Sequence, residues 1–456
     1  MVSVFIGCDS DNSSSPEIHD AWTWVSGSDN VDQAGVYGIK GTADAANIPG
    51  ARLVSVSWSD ADGNLWLFGG CGVDSVDGKG YLNDLWKYNT STNQWTWVSG
   101  SNIINQAGEY GEKGTAGAAN FPGARASDVS WSDANGNLWL FGGEINNNYF
   151  NDLWKYDTVS GMWTWVSGSN SNNQVGVYGE KGIAAATNFP GARKDAVSWT
   201  DADGNLWLFG GYGWVNVAEN VDERHYLNEL WKYNPIENQW TWVSGSDIFN
   251  QAGVYGEKGT PDAANMPGVR DCSVSWTDAD GNFWLFGGHG FDSENNLGDL
   301  NDLWKYNPIE NQWTWVSGSD TRYQAGVYGE KGTADDSNMP GARSGNVSWT
   351  DADGNLWLFG GEGRGIDSEG YGYLSDLWKY NPIENQWTWV SGPETVDQIG
   401  VYGTKGKAAY SNIPGARGFS VSWADTDGNL WLFGGYYEDN DENMFVLNDL
   451  WKFNML

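Results

Sequence analysis

Six landmarks recur six times along the chain, and all but one of the distances between them are constant. Each copy carries WTWVSG, a Gln, PGAR, VSW, LWLFGG (FWLFGG once) and DLWKY, or a close variant. Trp22, Trp95, Trp163, Trp240, Trp313 and Trp387 open the copies. The arginine of PGAR or PGVR follows each at 30 positions: Arg52, Arg125, Arg193, Arg270, Arg343 and Arg417. From these to the tryptophans before FGG (Trp66, Trp139, Trp207, Trp284, Trp357, Trp431) is always 14, and from the DLW tryptophan to the next WTW always 9. Only the stretch from FGG to DLW changes length, with tryptophan spacings of 20, 15, 24, 20, 21 and 20. A period of 68 to 77 residues sustained over 456 residues describes one repeat array rather than the three domains the length alone suggests. The segment free to vary is where recognition is expected, because loops on a rigid scaffold tolerate change.

Within a copy the hydrophobic pattern has period two, as strands require. Leu53 to Trp58 reads as a first strand and LWLF as a second whose unbroken apolar run suits burial on both faces. DLWKY and QWTWV supply the third and fourth. Asp60-Ala-Asp-Gly-Asn64 predicts a tight hairpin between the first pair, with Gly63 at positive φ, and Asn234-Pro-Ile-Glu-Asn238 a turn between the second pair. Helix signals are weak throughout.

FGG closing the second strand, followed by a Tyr and a Trp with six residues between them (Tyr88 and Trp95, Tyr156 and Trp163, Tyr233 and Trp240, Tyr306 and Trp313, Tyr380 and Trp387), resembles the kelch repeat. The resemblance covers Ala21 to Asn454. It implies an all-β fold, a six-bladed kelch-type β-propeller of four-stranded blades around a central channel. The copies are longer than the usual kelch length of roughly 50 residues, because of the fixed segment between WTWVSG and PGAR. The array begins at a fourth strand, Trp22 to Val25, and ends after a third, Leu450 to Phe453, so the N-terminal strand is expected to close the last blade and remove open edges. Residues 21–456 therefore read as the propeller.

Residues 1–20 read differently. Phe5, Ile6, Gly7 and Cys8, followed by a run of Asp, Ser and Asn, resemble the lipobox and tether of a bacterial lipoprotein. The apolar run before Cys8 is shorter than the roughly 7 to 15 residues of a secretory signal, so the true start is expected upstream, with Cys8 as the lipidation site. This segment reads as a signal remnant or tether and places the protein outside the cytoplasm: at the envelope, in the periplasm or secreted. No run of apolar residues approaches the length of about 20 needed to span a membrane.

Composition closes other routes. A formal charge of −35, with 18 of 24 basic residues at repeat positions, leaves no basic patch for nucleic acid. Thirty of 31 tryptophans belong to the repeat, Trp214 being the exception, and are expected to fill the core. Three cysteines form neither a disulfide framework nor a zinc spacing; Cys71 and Cys272 read as small buried hydrophobes.

Four sets of residues remain as candidate sites. The variable connections are acidic and carry Trp214, His225, His289, Arg364, Tyr436 and Tyr437, the expected ligand-binding residues of the loop face. The six PGAR arginines enter the innermost strands and read either as an anion ring, as in kelch propellers that bind acidic peptides, or as partners of the DLW aspartates or of strand-end carbonyls. The constant WTWVSG-to-PGAR connection reads as scaffold, with a sixfold ring of Gln, Tyr and Lys as the alternative. Hard oxygen ligands would suit calcium, but neither the loops nor the DADGN turns carry the full ligand pattern, so no cofactor or metal is expected beyond that weak match.

The expected function is a non-catalytic scaffold of the bacterial envelope that recognises a protein or glycan, working as a monomer. The alternative is a carbohydrate-active enzyme like galactose oxidase or sialic acid mutarotase, both kelch propellers. Only His19, His225 and His289 could serve a copper site, and Glu362 with Arg364 or His225 an acid–base pair.

Overall fold

The computed structural model describes residues 20–455 apart from 219–220, 368–369 and 440; Cys8 and the tether lie outside the described residues. Among the described residues there is no helix, and the chain is a succession of four-stranded antiparallel sheets consistent with a propeller. In the first copy Val56–Ser59, Leu65–Phe68, Leu85–Asn89 and Gln94–Ser99 lie side by side, with Trp58 opposite Trp66, Leu67 opposite Trp86 and Tyr88 opposite Trp95. All four residues of LWLF are buried, as expected of a strand covered on both faces. Asp60 holds its hairpin by accepting from the backbone N–H of Asp62 and Asn64, the Asn64 amide and the Trp66 indole. Gly63 there has φ 76°. These turns use their carboxylate internally, which is turn chemistry rather than a calcium loop.

The tryptophans sit between neighbouring sheets. Val56, Trp58, Trp66, Phe68 and Leu85 of the first copy pack against Leu138, Leu140, Trp154, Tyr156 and Trp163 of the second. Twelve tryptophans, including Trp22, Trp86 and Trp95, are almost wholly removed from solvent. Each contributes roughly 5 kcal/mol of gross transfer free energy at about 25 cal/mol per Å2.

Ala21–Ser26 pairs antiparallel with Leu450–Asn454, Trp22 opposite Phe453 and Trp24 opposite Trp451, so the first strand completes the last sheet. The innermost strands are stitched by their VSW serines. Ser130, Ser198, Ser275, Ser348 and Ser422 each donate to the serine carbonyl of the preceding copy, and Ser57 donates to that of Ser422 at 2.9 Å. One cavity is lined by the serines and valines of the first strands of all six copies.

Two features differ from expectation. The variable segments are short hairpins rather than loops: Cys71–Val73 with Lys79–Tyr81, for example, joined at its edge by Arg52–Leu53. The first strand also does not run unbroken from Leu53. Val54 turns to φ 49°, and the strand restarts at Val56.

Candidate functional site

The six PGAR arginines are 0–1 % exposed, and their forks are engaged within the chain. Arg52 donates from Nη1 to Asp84 Oδ1 and from Nη2 to Asp84 Oδ2, both at 2.8 Å, while Nε and Nη1 also reach the carbonyls of Gly50 and Gly69. The same bidentate arrangement recurs at Arg125, Arg270, Arg343 and Arg417 with the DLW aspartate of the same copy. Of the two readings of these arginines, the paired one describes the geometry. The fixed connection is likewise consumed as scaffold: the Tyr37 hydroxyl donates to Asp84, and the Lys40 ammonium donates to the Gly100 carbonyl while lying 4.2 Å from the Trp97 ring centre.

Chemistry collects instead where the PGAR arginines lead into the inner strands. The residue two beyond each arginine, Val54, Ser127, Asp195, Cys272, Gly345 and Phe419, has positive φ, between 49° and 62°. Each donates its backbone N–H to the carbonyl of its counterpart in the preceding copy, and Val54 donates to Phe419, so six peptide groups form a circle at one end of the central cavity. A valine or phenylalanine in this region is costly, on the order of 1 kcal/mol or more, and is held only because the circle fixes it.

The residue after each FGG stands beside this circle: Cys71, Glu144, Tyr212, His289, Glu362 and Tyr436, paired in register with the residue after each arginine. All six are titratable, and several converge. The His289 Nδ1 meets Asp299 Oδ1 at 2.9 Å, and the Tyr371 hydroxyl donates to the other Asp299 oxygen at 2.7 Å. Burial opposes the charge of His289, yet Asp299, Asp271 and Glu362 together raise its pKa above the ordinary value. Burial, then the charge of Asp299, raises Glu362. Asp271 is pushed up to about 7 by burial and then by Asp195. Lys194 bridges Glu144 at 3.3 Å and Asp195 at 3.5 Å.

The residues expected on the loop face do not share one site. His289 and Tyr436 belong to this end of the cavity, where Tyr436 packs on Tyr373 and Phe419. Trp214 and His225 lie on the long hairpin Tyr212–Ala218 with Val221–Tyr226; the Arg224 guanidinium covers Trp214 at 6.0 Å, and His225 stacks on Phe249 at 3.9 Å. Arg364 lies over Tyr323 at 5.4 Å. Tyr437 lines a separate pocket.

That pocket, of about 400 Å3, lies at the seam between the last copy and the first. Its apolar wall is Val31, Ile399, Ala416, Phe445 and Leu447; Asp29, Asp397, Gln398, Glu438 and Asp439 add polar groups. The Tyr437 and Phe445 rings stack at 5.2 Å and 30°, and Ile399 is 93 % exposed.

Asp299 stands among the acidic residues of the variable connections, but sequence reading missed Lys194, Asp195, Asp271 and Glu144 as site residues. It also placed Cys71 and Cys272 in the core, whereas both are half-buried at the titratable end of the cavity. The reason is the left-handed backbone at Cys272 and the position of Cys71 at the start of its strand, between Leu53 and Tyr81, which place them at this polar rim. No protein-family model matches the chain, and no curated protein matches it.

Proposed function

We propose that the chain is a closed six-bladed propeller of kelch type and that it serves as a non-catalytic binding scaffold of the bacterial envelope, recognising a glycan through its loop face. The pairing of Ala21–Ser26 with the last strand and the circle of serine hydrogen bonds support the closed ring. The FGG and Tyr-x6-Trp landmarks support the kelch assignment, and the Cys8 run supports export and lipidation.

The observation that carries the function is the seam pocket. Stacked aromatic faces suit the apolar faces of a sugar ring, and carboxylates and an amide around them suit its hydroxyls. A volume of about 400 Å3 falls within the range of small-molecule sites. A screen of glycans and peptides against the intact protein, and against a variant with residues 437–445 replaced by a Gly-Ser turn, tests it. Glycan binding lost in the variant supports this reading; glycan binding retained there, or peptide binding alone, opposes it.

A second reading, an envelope enzyme acting on carbohydrate, is favoured by one observation: Asp299 joins His289 and Tyr371 by hydrogen bonds, and His289 and Glu362 beside it both have raised pKa values, as acid–base chemistry requires.

A further inference from the structure

Three side chains from two adjacent copies meet at the end of the central cavity: Asp195, Asp271 and Cys272, with one oxygen of each carboxylate and the sulfur within 4.8 Å of one another. Their backbone is fixed, since Cys272 N–H donates to the Asp195 carbonyl at 3.0 Å and both residues are locked at positive φ. Asp271 is 9 % exposed. Lys194 divides its charge between Asp195 and Glu144, and His289 lies beside Asp271 across the strand pair.

A separate observation points to something bound there. On one side of the trio stands Asp128, next to Ser127, whose carbonyl accepts from Asp195. On the other side stands Asn346, next to Gly345, which donates to the Cys272 carbonyl. Asp128 is 9 % and Asn346 7 % exposed, and both line the 220 Å3 cavity. Both carboxylate oxygens of Asp128, and the oxygen and nitrogen of the Asn346 amide, are buried without a hydrogen-bond partner. Serine at the same position does not leave this deficit: Ser55, Ser273 and Ser420 each donate to a glycine carbonyl of FGG at 2.8–2.9 Å. The copies that depart from serine toward stronger oxygen ligands are the ones flanking the trio. The two carboxylate oxygens of Asp128 and the Asn346 amide oxygen are buried acceptors without a donor from the chain, which is costly unless a cation or a hydrated cation completes them.

We infer that Asp195, Asp271 and Cys272 hold a divalent transition-type cation of the zinc class, with Asp128 and Asn346 engaging its water shell from either side. Carboxylates alone would suit calcium or magnesium, whereas a thiolate among them selects the softer zinc class. The inference does not depend on the seam pocket, which lies around Tyr437.

The test uses the full chain, kept reduced, stripped with chelator and titrated with Co2+ as an optical probe of zinc sites. One Co2+ per chain is expected, with a thiolate-to-cobalt band in the near ultraviolet that Zn2+ displaces and an equal concentration of Ca2+ does not. Cys272→Ser should abolish the band and weaken binding at least tenfold; Ser127 shows that serine is accommodated at this positive φ. Asp271→Asn should weaken binding comparably and Asp128→Asn severalfold, while Cys71→Ser should leave both band and affinity unchanged. Tryptophan fluorescence matching the wild type confirms that a variant is folded, and the isosteric Asp271→Asn stands in if Cys272→Ser is not. No stoichiometric binding by the wild type, a band that persists in Cys272→Ser or vanishes in Cys71→Ser, or ready displacement by Ca2+ would overturn the assignment.

Discussion

Glu229 reaches Arg193 through a single oxygen, Oε1 to Nη2 at 2.7 Å, where the other five copies join aspartate and arginine through two. The extra methylene displaces the carboxylate. In the first copy the Trp86 indole donates to Asp84 Oδ2 at 2.6 Å; in the third, the Trp231 indole and Glu229 Oε2 are both buried without partners.

Glu229→Asp should therefore restore the bidentate fork and the indole hydrogen bond. Recovering a buried unsatisfied donor is worth about 1–2 kcal/mol, and the urea midpoint should rise accordingly. A midpoint equal to or below that of the wild type would contradict this account of the third copy.

Removing one partner of a complete pair should have the opposite effect. Arg52→Ala leaves the Asp84 carboxylate buried with only Tyr37 and Trp86 as side-chain donors. Breaking such a pair costs roughly 3–5 kcal/mol. Urea unfolding with a change below about 1 kcal/mol would show that the fork is not structural.

Deletion of Ala21–Gly27 exposes the edge of Leu450–Asn454 and removes the buried Trp22. The variant should aggregate or melt well below the wild type, by on the order of 10 °C or more, given the few degrees that each kcal/mol shifts a large domain. Unchanged melting would mean that the first strand does not complete the last sheet.

Burial holds the Asp128 carboxyl well above its ordinary value. A carboxyl with a raised folded pKa contributes its full stability below the unfolded value of about 4 and loses it as pH rises through the folded one. In metal-free buffer, Asp128→Ser should match the wild type near pH 4 and exceed it increasingly toward pH 8, by roughly 1–3 kcal/mol at the upper end. Parallel stability curves for the two proteins would contradict the assignment.

Much of the scaffold was legible because it repeats. Six copies of Trp, Tyr and Gly at fixed intervals specify pairing register: Tyr88 does lie opposite Trp95, and Trp58 opposite Trp66. The half-sheet at each end of the sequence likewise pointed to the pairing of Trp22 with Phe453. The site was harder to see because attention to length hid variation in identity. Between near-invariant PGAR and VSW stand six unlike tripeptides: LVS, ASD, KDA, DCS, SGN and GFS. Constant length there reflects the backbone circle, and free side-chain choice reflects the cavity end it faces. Nor could local propensity foresee Val54 at positive φ, since a β-branched residue adopts it only under tertiary constraint. The variable segments looked like loops because their strands are short and, in several copies, glycine-containing; Arg52–Leu53 and its counterparts pair with the start of each hairpin.

The claim that recognition resides on the loop face at the seam pocket is tested most directly by hydrogen–deuterium exchange of the intact protein with and without a glycan identified by screening. Protection is expected at residues 397–402, 415–417, 437–439 and 445–447, segments that line the pocket. Protection confined to the opposite turns, such as 60–64 and 234–238, or no change around Tyr437, would contradict it.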